Sequence, residues 1–172
     1  MTDVEYRTAE GPFRSARRVY FHVPDAPMAA VVTPSVFVAV RDPGGRLLLV
    51  RRWDSRTWEL PGGRVDVGES AVMAAERETE EESGLRVRIV GLVGLYTDPA
   101  YVIEAAKDGQ VRQPFQVCFH AIALRGSPRP DMHETIDAAW FDPAAVAALP
   151  VQPGALAMIR RALSGASEPY LG

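Results

Sequence analysis

The chain has 172 residues, 47% of them hydrophobic and 24% charged, proportions of a globular domain that can bury one core without disulfides or a structural metal. Its formal net charge of −3 argues against a nucleic-acid polymer as partner, which calls for a basic footprint, while a small phosphorylated ligand stays admissible because a metal ion can supply positive charge locally. The single cysteine, Cys118, excludes an intramolecular disulfide and counts against a zinc cluster; no apolar run nears the ~18 residues of a membrane span, and the polar, acidic start has no signal-peptide pattern, so a cytoplasmic address is expected.

Residues 1–16 show no periodicity and read as an arm. Residues 18–23 (Arg-Val-Tyr-Phe-His-Val) predict a short strand that breaks at Pro24 and Pro27. We take residues 1–30 as an N-terminal extension whose strand would edge the sheet or pair with a second subunit; a homodimer is left open. Residues 31–165 form the expected main domain and 166–172 a tail. Residues 36–40 and 47–50 read as a β-hairpin around Asp42-Pro43-Gly44-Gly45, a strong turn signal. Further strands are predicted at 87–95, 115–124 and 139–141, and helices at 143–148 and 154–163. Cys118, inside an apolar run, reads as a core thiol. Strands around one central helix, with helices again at the end, make a mixed α/β (α+β) layout.

That central helix is expected over residues 70–83, with Ser70 as N-cap and Gly84 where a C-terminal cap belongs. At ~100° per residue, Val72, Ala75 and Thr79 share the side expected to meet the core. Glu78, Glu81 and Glu82 share an adjacent side, where their like charges repel. A hard divalent cation would compensate them, since Mg²⁺ prefers carboxylate and water oxygens. Upstream, Gly62 and Gly63 can bring backbone close to a ligand or metal because glycine has no Cβ. A solvated acidic face would explain the glutamates alone, but not the paired glycines, nor Arg77 within the acidic run.

The segment 63–85 resembles the signature box of the Nudix hydrolases. Gly63 is followed after five residues by Glu69, then after seven by Arg77-Glu78, and Glu81-Glu82 and Gly84-Leu85 complete the pattern. One position departs: Thr79 stands where an aliphatic residue is usual. Leu60-Pro61-Gly62 resembles the usual lead-in.

The resemblance implies an α/β/α sandwich with a mixed sheet, and hydrolysis of the diphosphate linkage of a nucleoside diphosphate derivative with Mg²⁺, Mn²⁺ being an acceptable substitute. It assigns Glu78 and Glu82 as direct metal ligands, Glu81 as their neighbour, the Gly63 carbonyl as a backbone ligand, and Glu69 and Arg77 as supports that orient loop and helix. The catalytic base varies in this family between a box glutamate and a later carboxylate. Glu134, six residues before Trp140-Phe141, matches that later position, as an extra metal ligand or as the base; Asp137 is the second choice, and His133 a third.

Substrate selectivity should lie in other loops. Trp53, Trp58, Tyr96 and Tyr101 are candidates to stack on a base, and Arg51, Arg52 and Arg56 to meet phosphate or ribose. Pro99 and Tyr101 lie near positions that mark subclasses and do not decide between them. The compact lead-in favours nucleoside triphosphates, with ADP-ribose or a nucleotide sugar as alternative. A non-catalytic nucleotide sensor is a further alternative; such domains usually lack box glutamates, and this chain keeps them. The expected partner is a small nucleotide-type molecule, without nucleic acid polymer or membrane.

Overall fold

A computed structural model describes residues 17–105 and 109–172; the expected arm over residues 1–16 lies outside them. The sheet is built on two long strands, β2 (Val31–Arg41) and β8 (Val111–Arg125). They pair in parallel from Val31↔Arg112 to Arg41↔Ile122. β2 is rich in valine, which suits a pleated surface packed on both faces. Val36, Val38 and Val40 point to one face, and Phe37 and Ala39 to the other.

The other strands attach around this pair. β1 (Arg18–Phe21) lies antiparallel on β7 (Tyr101–Glu104), which itself pairs with β8. The N-terminal strand is therefore a sheet edge within this chain. β3 (Leu47–Arg52) runs beside β9 (Thr135–Phe141) and meets β4 (Trp58–Glu59). β5 (Gly62–Arg64) pairs with β2, placing Arg64 opposite Ser35 and Gly63 opposite Val36. β6 (Arg86–Tyr96) pairs with β8, and a short C-terminal β10 (Tyr170–Leu171) runs parallel to β6.

Helix α1 (Ala71–Ser83) covers one face of this mixed sheet, packing Ala74 and Ala75 on Val36, Val38, Val40 and Leu48. α2 (Pro143–Val146) and α3 (Pro153–Leu163) cover the other, where Met158, Ile159 and Ala162 meet Ala39, Leu47, Leu49 and Cys118. The result is the expected α+β sandwich. No helix among the described residues is long and apolar enough to cross a membrane.

Four expectations need correction. The turn forms as read, with Gly45 N–H donating to the Asp42 carbonyl at 3.0 Å. Beyond it, however, β2 and β3 pair only at Arg41↔Leu47, because β2 is taken by β8 and β5, and β3 by β9. The helix predicted over 143–148 is the shorter α2, while the strand predicted over 139–141 extends back to Thr135. Val72 is 41% exposed; the buried stripe of α1 is Ala74, Ala75, Thr79, Glu82 and Ser83, since small side chains let the helix approach the sheet closely.

Candidate active site

α1 is set by local chemistry at both ends. The Ser70 hydroxyl accepts from Met73 N–H at 3.2 Å, satisfying one of the free first-turn donors. Gly84 closes the helix in the left-handed region with φ 70°, and its N–H donates to the Glu80 carbonyl, a conformation natural to glycine. Thr79, where the family pattern has an aliphatic residue, is fully buried. Its hydroxyl donates to the Ala75 carbonyl at 2.7 Å, so no polar atom is left unmet.

The helix thereby aims its acidic side at β5. Gly63 lies against Glu78 so closely that a Cβ built on it would stand 2.4 Å from Glu78 Oε1. Any larger residue there would force this carboxylate to shift. Arg77 forks onto Glu69, its Nε at 2.7 Å from Oε1 and an Nη at 2.8 Å from Oε2. The same guanidinium reaches Glu78 at 2.9 Å, Glu81 at 3.1 Å and the Arg64 carbonyl at 3.2 Å. Arg77 thus ties the loop before α1 to the helix, and its hydrogen bond lowers the Glu69 pKa to about 2.

Glu82 lies deeper. Its Oε2 accepts from Gly62 N–H at 2.9 Å, and its carbonyl accepts from the Thr135 hydroxyl at 3.0 Å. Burial, and next the Glu59 carboxylate, push its pKa well above the usual carboxylate range. Burial also raises Glu78, with Glu81 and Glu134 adding to the shift and Arg77 opposing it.

A cleft of about 420 Å³ opens beside these groups, and Glu78, Glu81, Glu134 and Gly63 line its acidic rim. Glu134 is brought there by a loop that Asp131 organises: its carboxylate accepts from the N–H groups of His133, Glu134 and Thr135. Burial works to raise the Asp131 pKa, but these hydrogen bonds outweigh it and lower it. Asp137 and His133 are exposed and do not line the cleft.

Of the residues singled out for substrate contact, Arg52 and Tyr101 line the cleft. Arg52 pairs with Asp54 at 2.8 Å and with Glu59 at 3.1 Å. Burial works against its charge, yet Glu59 and Asp54 outweigh that and hold the guanidinium charged. Arg51 turns away, donating to the Arg56 carbonyl at 3.0 Å, and Arg56 stacks over the Trp53 ring at 4.3 Å. Trp58 belongs to the core, edge-on to Phe141. Tyr96 stacks on Tyr170. None of these five lines the cleft.

Several cleft residues escaped the sequence reading: Arg17, Ser35, Glu59, Gln116 and Gln152. Glu59 alone carried a signal, a carboxylate between Trp58 and Leu60 where a buried side chain is expected. Asp131 carried another, an aspartate opening a turn that its own side chain can cap.

The donor set at the rim is all oxygen, three carboxylates and a backbone carbonyl, which suits a hard divalent cation. Burial chiefly raises the Glu78 pKa, with Glu81 and Glu134 adding to it, and such a cation would favour the charged carboxylate. Among the described residues no three acidic or imidazole side chains already converge on one point. In this structure Arg77 supplies the neutralising charge.

A family model for the NUDIX domain matches residues 31–162. A protein of Bacillus subtilis that carries the name 8-oxo-dGTP diphosphatase is 36% identical over 111 residues, 64% of this chain and 67% of that protein. A MutT-like protein of Streptomyces ambofaciens is 48% identical over 59 residues, 34% of this chain and 38% of that protein. Among solved structures, a MutT protein from Methanosarcina mazei superposes with a TM-score of 0.63 at 18% identity, over 83% of this chain and 100% of that one; this likeness speaks to the fold alone.

Proposed function

Because the chain belongs to the Nudix family and is a hydrolase of pyrophosphate bonds, we propose that it cleaves the diphosphate linkage of a nucleoside diphosphate derivative, with nucleoside triphosphates as the favoured class. The observation that carries this reading is the acidic rim of Glu78, Glu81, Glu134 and Gly63 on a cleft large enough for a nucleotide. The name carried by the Bacillus subtilis relative favours the triphosphate class.

The rim residues, with Glu82 behind them, would hold Mg²⁺ or Mn²⁺. Bound there, the ion supplies neutralisation of the diphosphate oxygens and acidifies water. The chain's own groups do the rest. Arg77 holds the Glu69 loop and the Glu78–Glu81 pair in register. Gly62 N–H orients Glu82. Glu134, carried on the Asp131 turn, is placed to take a proton from attacking water, with Glu78 as the other carboxylate raised toward that task.

The test is phosphate or nucleotide release from nucleoside triphosphates, ADP-ribose, nucleotide sugars and dinucleoside polyphosphates, with Mg²⁺ or Mn²⁺ and with chelator. Metal-dependent turnover of triphosphates is expected. Turnover confined to ADP-ribose or nucleotide sugars would move the substrate class. Tight nucleotide binding without turnover anywhere would make the protein a sensor.

A further inference from the structure

The cleft continues past the acidic rim along one face of β2 and β8, and the polar groups there have no part in the chemistry above. Ser35 is buried, lines the cleft, and its hydroxyl has no hydrogen-bond partner within the protein. A buried hydroxyl without a partner is unfavourable, and in native proteins such a group asks for an explanation. Beside it in the parallel register stands Gln116, also buried and also lining the cleft. Adjacent strands lie about 4.8 Å apart, so the two side chains are neighbours on one sheet face. Both are neutral, and each can donate and accept.

Their surroundings narrow the ligand. Phe37 follows Ser35 on the same face, with Met158 and Ile103 also lining the space. Of the cations lining the cleft, Arg52 pairs with Asp54 and Glu59 and Arg17 with Asp54 and Glu59, while Arg64 stands opposite Ser35 and Arg112 lies farther along β8. The Ser35–Gln116 pair beside Phe37 fits a flat heterocycle whose edge carries a donor beside an acceptor.

The spacing agrees. Ser35 pairs with Arg64 on one side and Gln116 on the other. Gln116 is therefore two strands, about 10 Å, from the β5 strand that presents Gly63. A nucleotide with its diphosphate at Gly63 and Glu78 would extend its ribose across β2 and set its base at Gln116.

We propose that Ser35 and Gln116 form the pair that reads the edge of the nucleobase and so determines substrate specificity. This rests on the hydrolase reading above for its orientation.

The experiment compares the full chain with its Ser35→Ala and Gln116→Met variants, in Mg²⁺, on the best nucleoside triphosphate and on ribose 5-triphosphate, which lacks the base. Each variant should raise KM for the nucleotide about 10- to 100-fold, the scale of one lost buried hydrogen bond. kcat should change little, and the abasic compound should be hydrolysed as by the wild type. Ser35→Ala should melt no lower than the wild type, since its hydroxyl has no partner in the free protein, so this variant keeps the test valid if Gln116→Met misfolds. Unchanged KM, or an equal loss on the abasic compound, overturns the proposal. If the wild type hydrolyses nothing, calorimetry with the nucleoside monophosphates decides instead. Binding that the variants lose would sustain the pair and remove the hydrolase reading; equal binding by wild type and variants, or no binding, would sink the pair.

Discussion

The Glu82 carboxylate accepts the backbone N–H of Gly62 at 2.9 Å while the buried Glu59 stands near enough to raise its pKa. A folded pKa above the unfolded one means that the neutral form is favoured in the fold. That stabilisation is complete below the unfolded pKa and is lost as pH rises through the folded one. Glutamine keeps an acceptor for Gly62 and removes the buried charge. Glu82→Gln should therefore melt at the same temperature as the wild type or higher at neutral pH, while kcat/KM falls at least about 100-fold, the scale of losing one group that stabilises developing charge. Thermal melts beside kinetics check both halves, and near-full activity with normal metal dependence would remove Glu82 from the site.

Gly63→Ala probes the contact between β5 and α1. Its Cβ would stand 2.4 Å from Glu78 Oε1, so the carboxylate must shift. Activity should fall about 100-fold, since a displacement of ~1 Å at a reacting centre costs that much. The metal concentration for half-maximal rate should rise as well. An unaltered metal titration would show that Glu78 does not hold the ion.

Arg52→Met strands buried charge. Glu59 is 2% exposed and Arg52 lies 3.1 Å from it. Removing one partner of such a pair costs about 3–5 kcal/mol, to be read by urea denaturation at neutral pH. A loss below about 1 kcal/mol, the range of exposed pairs, would mean that Arg17 alone suffices to neutralise Glu59.

The fork between Glu69 and Arg77 makes stability depend on acid. The Glu69 pKa is lowered from 4.5 to about 2, chiefly by the Arg77 hydrogen bond. Its contribution is present above 4.5 and is lost as pH falls toward 2. Stability measured across that window should drop less steeply for Glu69→Gln than for the wild type. Parallel curves would show that the fork adds nothing to the fold.

Much of the site was legible because it is local. The caps at Ser70 and Gly84, the repeat of glutamates along one helical side, and the glycines before it all follow from spacing within one segment. Ser35 and Gln116 were not legible. Each is an unremarkable polar residue within an apolar strand, and neither the strand period nor any motif marks it. Trp58 misled for a related reason: its neighbours suggested a loop, yet β4 pairs with β3 and buries the ring against Phe141.

The sequence by itself determined the acidic helix, its caps and the family to which it belongs, because helical neighbours three and four apart are set by backbone geometry alone. Only the tertiary structure decided which residues share the cleft. Parallel pairing of β2 with β8 needs a long crossover, and it brings Ser35 beside Gln116 across eighty positions of chain. The same closure buries Glu82 behind Gly62 and draws the Glu134 loop to the rim, contacts that arise from packing between elements and leave no periodic trace in the chain.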